Sequence, residues 1–500
     1  MAVKSQYEGR TLITTSRTIT GNPDVDANTI IKILDETSSA HNSNALETET
    51  LFKIYFNDPC YWQKIKEQRQ DINNKITVSD AWSVSRTINF YCFGEPIKYV
   101  SRTTDENSDK QSKVELLSEF LDFQHNHDST TMATLSASVC GLGYKLALPA
   151  NREEFDFSGV PFVINSNFID PRKAYCVYDT SIMHNKVLGV MIGDEFDAEN
   201  NKIGKQYTVW TKYHQFIFVE GKDGLEVKRK ENGDIADRMF INRIPLVEVE
   251  RNAFRKGDWE ICKDLFVLKN KLLSNRADDV QQVVDYILVM LNCDFENEED
   301  KTNAIKNRLF VLETKDPQNK PSIEILKNAL DQNGIQTYAD YIDGLIESTA
   351  GIPSRAERGG GGHDTGQAVI YRNGYRDLEN NAGMIIPKMD KAETEFLGIC
   401  IGYSHNMAGG NDRLAGLQPY DVRNKFVRSL SDDPITASTS YSTFKRAGMN
   451  DLDALIASRA VTDPAEVHKN NLANTAETPV NNNSETTEDD PNNTSVPAEG

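Results

Sequence analysis

The stretch GDWEICKDLFVLKNKLLSNRADDVQQVVDYILVML, residues 257–291, decides the fold. Gly257 and Asp258 break the preceding chain, and after them apolar residues recur with the 3.6-residue period of an amphipathic helix. The apolar positions are Ile261, Leu265, Leu268, Leu272, Val280, Val283, Val284, Ile287, Leu288 and Leu291. A helix over residues 257–291 would be roughly 50 Å long and would need a neighbour to cover its apolar stripe.

The chain supplies one such neighbour in residues 328–352. Its apolar residues on one face are Tyr338, Ile342, Leu345 and Ile346. Between the two helical segments, residues 292–327 form a small insert with a charged stretch at 296–306 and two short strand patterns at 308–314 and 322–326. A turn at Asp316 and Pro317 separates these patterns. The sequence therefore predicts a two-helix spar that carries a small α/β insert at one end.

Residues 46–256 combine helical and strand patterns. Helical patterns come first and end at Gly94 and Gly141. Runs of alternating apolar and polar residues follow, as in YKLALPA, AYCVYD, VLGVMIGDEF and QYTVWTKYHQFIFVE. Such alternation, broken by turns like the one at residues 220–224, is typical of an antiparallel sheet. The predicted fold class is therefore α+β.

The two ends of the chain are more polar. Residues 1–45 are rich in Thr, Ser, Asn and Asp, which predicts an N-terminal arm with one helix around Ile30 to Leu34. Residues 411–465 predict polar helices through KFVRSL, STFKRAGM and LDALIASRA. Residues 466–500 contain NNNSETTEDDPNN and almost no large apolar side chain after Leu472. They predict a disordered acidic tail, because such a segment cannot bury enough surface to offset its ordering entropy.

Charge and cysteine content exclude several classes of protein. The 500 residues carry a formal net charge of −20, so the chain does not coat DNA by neutralising phosphates. The seven cysteines are odd in number and none lies at CxxC spacing, which argues against a disulfide framework and a zinc site and indicates a reducing compartment. The longest apolar run, residues 286–291, is too short to span a membrane.

A glycine-rich segment stands at residues 353–366. It contains Arg358, Gly359, Gly360, Gly361, Gly362, His363 and Asp364. Four consecutive glycines make this the most flexible point of the folded region. A helical pattern follows over residues 367–410, with Pro387 as a predicted kink.

No motif in the chain predicts a catalytic residue, a metal ion or a cofactor. The four glycines lack the Gly-Lys-Ser/Thr of a phosphate-binding loop. His125 and His127 alone do not make a metal site, and Lys228, Arg229 and Lys230 among acidic residues predict a solvated surface. Asp364-Thr365-Gly366 matches the aspartic-protease tripeptide, but a second copy is absent, so that chemistry would require a dimer. A helix start capped by Asp364 or Thr365 is the preferred interpretation.

Four segments, in this order, resemble portal proteins of tailed bacteriophages, specifically the family of siphophages of Gram-positive hosts. They are NFYCFGEPIKY at residues 89–99; GLGY at 141–144; IPLVE at 244–248 with Asn252, Gly257-Asp258 and the helical residues 274–279 and 287–289; and Gly351-Ile352-Pro353 with the glycine-rich loop, 365–368 and Leu378-Glu379. The ordered set covers about residues 51–463. At residues 57–60 the chain has Asn-Asp-Pro-Cys where the family has a tyrosine and glycine pairing, which puts the start of the α+β domain in doubt.

The resemblance implies a ring of 12 identical subunits with named regions. Residues 46–256 would be an α/β wing, joined by residues 367–410. Residues 257–291 and 328–352 would be the helical stem, and residues 292–327 the clip. Residues 353–366 would be the tunnel loop and residues 411–465 the helical crown.

The same resemblance implies a function without catalysis. The ring would be the conduit for packaging and ejection of double-stranded DNA at the capsid vertex, in the virion and, during assembly, in the host cytoplasm. Its partners would be the terminase large subunit, a head–tail adaptor, and scaffolding and major capsid proteins. Terminase would dock on the clip through Glu296, Glu298, Glu299 and Asp300. The alternatives are a dimeric aspartic-type hydrolase that uses Asp364 and another ring-forming connector protein of a phage.

Overall fold

The computed structural model divides the chain into two compact units, Met1–Ser429 and Leu430–Gly500. It describes residues 9–58, 72–102, 109–149, 164–196, 201–221, 224–230, 232–284, 287–291, 293–294, 313–314, 322–326, 332–354, 375–407, 412–428, 434–458, 461 and 467–468. Helices and strands intermingle along the first unit, which confirms the predicted α+β class.

The larger sheet of the first unit has seven strands. They are β1 (Thr14–Thr15), β5 (Ala174–Asp179), β6 (Lys186–Phe196), β7 (Lys202–Trp210), β8 (His214–Gly221), β9 (Gly224–Val227) and β10 (Ala236–Arg238). Their order is β1-β5-β6-β7-β8-β10, with β9 also paired to β8. All pairings except β1 with β5 are antiparallel, which confirms the predicted antiparallel sheet.

Helix α1 (Pro23–Tyr55) packs its apolar residues against this sheet. The predicted helix around Ile30 to Leu34 is confirmed, but it extends over Pro23–Tyr55. The interpretation of residues 1–45 as an arm was wrong, because Ile30, Ile33 and Leu34 belong to the main core. Asn22 caps the helix, and Pro23 has the fixed φ that suits a first helical position. Polar residues occupy the buried face between Leu34 and Leu51 and hide its apolar period, namely Thr37, His41, Asn44 and Thr48. The Thr37 hydroxyl is satisfied within the helix, where it donates to the Ile33 carbonyl at 2.7 Å.

A second sheet has the order β11-β3-β4, with β3 (Leu142–Pro149), β4 (Ile164–Ile169) and β11 (Leu246–Glu250). Helix α4 (Asn126–Cys140) precedes β3 and lies against it. A side chain is impossible at two glycines here. A Cβ on Gly143 would stand 2.0 Å from the Ala133 carbonyl oxygen, and one on Gly257 would stand 2.2 Å from that of Val139.

Two further helices of the predicted α+β region are confirmed, α2 (Asp80–Phe93) and α3 (Asp109–Phe123). Between them β2 (Lys98–Ser101) pairs antiparallel with β16 (Val422–Lys425). The prediction of a helix through KFVRSL was wrong at its start, because Lys425 extends a strand that β2 completes. Long-range pairing of this kind overrides a local helical pattern.

The predicted 50 Å helix was also wrong in its last turns. A short 3₁₀ turn (Glu260–Cys262) leads into α5 (Lys263–Val284), and residues Ile287–Leu291 form strand β12 instead of continuing the helix. At about 1.5 Å per residue, α5 is roughly 33 Å long. The run ILVML is apolar at every position, so its period does not separate a buried helix from a strand, and a partner strand decides.

Helix α6 (Gln332–Ala350) confirms the predicted second helix of the spar. Helix α7 (Tyr375–Met407) has Pro387 inside it and lies against β3 and β11. It confirms the predicted helix after the glycine-rich segment over its described length. Residues 367–374 and 408–410 of that prediction lie outside the described residues.

The second unit contains α8 (Pro434–Arg446) and α9 (Asp451–Ser458). Asp451 joins them, since it accepts a hydrogen bond from the Tyr441 hydroxyl at 2.6 Å and pairs with Lys445 at 3.1 Å. The ring of His468 lies 3.3 Å from the same carboxylate. The predicted start of the disordered tail at Glu466 is therefore too early, and residues 469–500 lie outside the described residues.

Candidate functional site

Helices α5 and α6 form an antiparallel pair. Lys269 Nζ lies 2.6 Å from Asp343 Oδ1, and Arg276 Nη1 donates to Gln336 Oε1 at 2.7 Å. The partners step seven residues forward on α5 and seven residues back on α6, which is two helical turns in opposite directions. The spar predicted from the sequence therefore consists of two helices joined by polar contacts along their length.

Lys269 ties this pair to the α+β region. Its ammonium is buried and also donates to Asp80 Oδ1 at 2.9 Å, at the N-terminal end of α2. Burial opposes the charge, but hydrogen bonds to Asp343 and Asp80 outweigh it and raise the pKa of Lys269 above its ordinary value. One charged side chain thus joins three helices.

An extended segment, residues 74–78, runs along α5 and is called the strap here. The backbone N–H groups of Asn74, Ile76 and Val78 donate to side chains of Asp278, Ser274 and Asn270, at 2.7, 3.0 and 2.9 Å. The donors are two residues apart in an extended chain, about 6.6 Å, and the acceptors are four apart on a helix, about 6.0 Å. These matching repeats let one helix face hold the strap as a neighbouring strand would.

The insert between α5 and α6 is described only in its strands. β12 pairs antiparallel with β15 (Ser322–Leu326), and β13 (Cys293–Asp294) pairs with β14 (Glu313–Thr314). The predicted strand at 322–326 is confirmed, and that at 308–314 is described only at its end. β12 follows α5 in the chain, and β15 precedes α6. The chain that leaves the helical pair and the chain that returns to it are therefore paired as strands. The predicted docking residues Glu296, Glu298, Glu299 and Asp300 lie outside the described residues.

The end of α6 is fixed to α7 next to the glycine-rich segment. Gly351 has φ +64, and a Cβ there would stand 2.7 Å from Asn381 Nδ2. That amide donates to the carbonyls of Ala350 and Gly351 at 3.0 and 3.2 Å, which satisfies groups that a helix end leaves unpaired. The predicted loop residues Arg358, Gly359 to Gly362, His363 and Asp364 lie outside the described residues, between α6 and α7 in the sequence.

Three ion pairs hold α7 to the sheets. The pairs are Lys145 with Glu393 at 3.0 Å, Lys186 with Glu395 at 2.6 Å, and Lys388 with Glu250 at 2.8 Å. They lie on the part of α7 that follows Pro387, and their partners come from three different strands or strand starts. The helix that leaves the glycine-rich segment is therefore anchored by charge as well as by its apolar face.

The pair of Lys145 and Glu393 is fully buried and belongs to a polar network. The Lys145 ammonium also donates to Asn126 at 3.1 Å and to Thr130 at 2.9 Å, and it lies 3.8 Å from the centre of the Phe396 ring. Tyr99 donates its hydroxyl to Glu393 at 2.7 Å. Burial, followed by the neighbouring Glu393 charge, raises the pKa of Tyr99 well above its ordinary range.

Two of the four segments that carry the family resemblance meet in the fold. Arg251 forks onto Asp258, with Nε 2.7 Å from Oδ1, and Ser138 donates to the same carboxylate at 2.6 Å. Gly141 has φ +82, and a Cβ there would stand 2.2 Å from the Arg255 carbonyl oxygen. The Arg255 guanidinium pairs with Glu248. GLGY, IPLVE and Gly257-Asp258 are thus parts of one buried junction.

The other sequence candidates are two histidines and a basic cluster. His125 is exposed and His127 half-buried at the start of α4, and Lys228, Arg229 and Lys230 are exposed, which confirms the predicted solvated surface. Within the described part of the chain, no three His, Cys, Asp or Glu side chains are placed to hold a metal ion. No described helix is both long and apolar enough to cross a bilayer.

Sequence reasoning missed the residues that organise this region. Asn270, Ser274 and Asp278 recur every four residues on α5 between the apolar positions, and this polar period was a usable signal. The roles of Lys145 in β3 and Glu393 in α7 were harder to predict from the sequence, because a buried ion pair between distant segments leaves no local pattern.

Comparison with known proteins shows a family for the chain. The family model described as phage portal protein, SPP1 Gp6-like, matches residues 6–478. That range includes both helices of the spar, the insert and the glycine-rich segment. A search of curated proteins finds no match.

Proposed function

Since the chain belongs to the SPP1 Gp6-like phage portal protein family, we propose that twelve copies form the ring through which double-stranded DNA enters and leaves the capsid. Portal proteins are structural components of the virion and form a ring at a capsid vertex. The observation that carries the proposal is the family match over almost the whole chain, joined to a two-helix spar with a β insert.

The antiparallel pair of α5 and α6 serves as the stem in this proposal. Exposed apolar side chains remain on it, namely Leu268, Val280, Tyr338 and Tyr341. A closed ring covers such surfaces with the neighbouring subunit, which an isolated chain cannot do. The contacts of Lys269 and of the strap then keep each stem in a fixed relation to the α+β wing.

The insert serves as the clip and receives the terminase large subunit. Its charged residues Glu296, Glu298, Glu299 and Asp300 are the proposed contacts. Charge reversal at all four positions is expected to weaken terminase binding and to leave ring mass unchanged. Unaltered binding would place the docking surface elsewhere.

The glycine-rich segment serves as the tunnel loop. Its proposed DNA-facing residues are Arg358, Gly359, Gly360, Gly361, Gly362, His363 and Asp364. Asn381 of α7 holds the C-terminal end of α6, and ion pairs hold the part of α7 that follows Pro387. The four glycines between the two helices allow backbone rearrangement at low cost.

The remaining regions contact the other partners. Residues 46–256 with α7 serve as the wing, and residues 411–465 as the crown, in the virion at the portal vertex. Head–tail adaptor, scaffolding and major capsid proteins bind the assembled ring. Assembly takes place in the host cytoplasm.

The mass of the purified full-length protein tests this proposal directly. Native mass spectrometry at micromolar concentration is expected to give a species of 12 subunits, each of 56.2 kDa. A stable monomer or dimer would contradict the ring. A dimer that cleaves peptides, with cleavage lost in Asp364→Asn, would support the aspartic-type hydrolase, whereas an open or differently sized ring would support another connector protein.

A further inference from the structure

The turn between β5 and β6 presents two large apolar side chains to solvent. Ile182 is 96% exposed and Met183 is 80% exposed at its tip. An isolated exposed apolar residue is ordinary, but two adjacent ones at a protruding tip are an expected contact point for another protein.

This turn is held in one conformation by Asp179. Its carboxylate accepts hydrogen bonds from Ser181 N at 3.1 Å, Ser181 Oγ at 2.6 Å, Asn185 N at 3.0 Å and Asn185 Nδ2 at 3.0 Å. His184 adopts the left-handed conformation that closes the turn, with φ 47. A turn fixed in this way loses little conformational entropy when it binds.

A complementary surface lies on α2. Trp82, Arg86 and Phe90 are four residues apart and therefore form one row on the helix, and all three are exposed. Trp82 is 43% exposed and Phe90 61% exposed. Tryptophan and arginine are the residues most enriched at the energetic centres of protein interfaces.

The turn and the α2 row lie far apart on one subunit. Tyr55 stacks on Trp82 with ring centres 5.1 Å apart, and His41 stacks on Tyr175 at 4.3 Å. From His41 to Tyr55 the axis of α1 rises roughly 21 Å. From Tyr175 to Asp179, β5 extends about 13 Å. Arg172, just before β5, pairs with Glu49, which lies beyond His41 on α1, so β5 runs antiparallel to α1. The two steps therefore point in opposite directions, and both lengths separate the turn from the α2 row.

We propose that the Ile182–Met183 turn of each subunit packs on the Trp82–Arg86–Phe90 row of the next subunit in the ring. This inference rests on the proposed ring. Head-to-tail contact in a ring requires two different, mutually complementary patches on each chain. The turn offers Asp179 beside two apolar side chains, and α2 offers Arg86 between two aromatic ones. Met183 also suits an aromatic surface, because its sulfur makes favourable contacts with rings.

Cysteine cross-linking tests the contact in the full-length protein. Met183→Cys/Phe90→Cys is expected to give a ladder of covalent multimers with a short bismaleimide, whereas a mixture of the two single variants is expected to stop at dimers. Met183→Cys/Ile203→Cys is the matched control, because Ile203 is equally accessible at 60% exposure but lies on β7. The unmodified chain shows whether its own cysteines react.

A second measurement does not depend on cross-linking. Ile182→Ser/Met183→Ser is expected to raise the concentration for half-assembly at least tenfold, and Ile203→Ser to leave it unchanged. Rings of normal mass that give no ladder and tolerate the double serine variant would overturn the contact but not the proposed ring. Absence of any ring in the unmodified protein would overturn both.

Discussion

Lys145 and Glu393 illustrate what single residues contribute to this fold. Both side chains are almost fully buried, at 1% and 0% exposure, and they join strand β3 to helix α7. Taking two charges out of water is costly, so such a pair is weak as a source of stability but strong as a constraint on which segments meet. Further hydrogen bonds satisfy both charged groups: Tyr99 donates to Glu393, and Lys145 donates to Asn126 and Thr130.

Removing one member of this pair is expected to be far worse than removing both. Lys145→Met leaves Glu393 buried without its partner and should lower the free energy of unfolding by about 3–5 kcal/mol. Lys145→Met/Glu393→Met should recover most of that loss. Lys388→Met is the control, since its partly exposed pair with Glu250 should contribute about 1 kcal/mol or less. Thermal unfolding at one fixed protein concentration measures all three, and equal losses for Lys145→Met and Lys388→Met would contradict this account.

His41 gives the protein a defined sensitivity to acid. Burial lowers the pKa of His41 to about 4, while the unfolded chain has its ordinary value of about 6.5. Between these values the unfolded state binds a proton that the folded state does not. The contribution of neutral His41 to the free energy of unfolding is therefore fully present above about pH 6.5. It is lost as the pH falls towards 4, which lowers the free energy of unfolding by up to roughly 3 kcal/mol.

The variant His41→Phe is expected to unfold with a shallower pH dependence between pH 6.5 and 4. Phenylalanine keeps a ring against Tyr175, whose centre lies 4.3 Å from that of His41, but cannot bind the proton. Urea unfolding at several pH values measures the difference from the unmodified chain. An unchanged slope in His41→Phe would show that other groups dominate the pH dependence.

At the scale of secondary-structure elements, the strap shows how a helix can take the place of a strand. Asn270, Ser274 and Asp278 are each nearly buried, so their bonds to the strap are shielded from water. The Ser274 hydroxyl also donates to the Asn270 carbonyl at 2.7 Å, a bond within α5 that keeps its oxygen oriented. The strap therefore couples the chain before α2 to the proposed stem.

Ser274→Ala is expected to loosen the centre of the strap. The substitution removes the acceptor of the Ile76 amide hydrogen bond. We expect the free energy of local opening to fall by about 1.4 kcal/mol, which corresponds to roughly tenfold faster exchange of that amide. Hydrogen–deuterium exchange with fragment analysis over residues 72–79 measures it. Asn275→Ala, one position along and exposed on α5, is the matched control. Equal exchange in both variants would show that the strap is held by other contacts.

Elements with a clear local period were predictable, and elements decided by distant partners were not. Helices α2, α3 and α6 follow their apolar patterns, and α4, rich in small residues, ends at Gly141. β12 was mistaken for helix because its partner residues in β15 are 31 to 39 positions away in sequence. α1 was mistaken for an arm because Thr, Ser and Asn dilute its stripe. For the proposed loop and clip contacts, the sequence remains the source of the prediction.

At the scale of the whole molecule, net charge bears most directly on the proposed conduit. Each subunit carries −20, and the six acidic residues after Leu472 have no basic residue among them. Tight binding of DNA requires clustered cations that release counterions from phosphates. A ring made of such subunits surrounds DNA while gaining little from phosphate contacts, so DNA can slide through it.

The assembled ring is therefore expected to bind duplex DNA only weakly, with a dissociation constant of about 10⁻⁴ M or higher and a shallow dependence on salt. Fluorescence anisotropy of a labelled duplex measures the dissociation constant and its salt dependence. Salt concentrations of about 50 and 200 mM are suitable, because DNA-coating proteins lose most of their affinity over roughly that range. A variant that ends at Leu472 keeps His468 beside Asp451 and changes the net charge from −20 to −14. Because that variant is still acidic, it should form the same ring and bind DNA as weakly. Micromolar binding by the shortened ring alone would show that the tail shields a cationic surface, and micromolar binding by the full-length ring would contradict a sliding conduit.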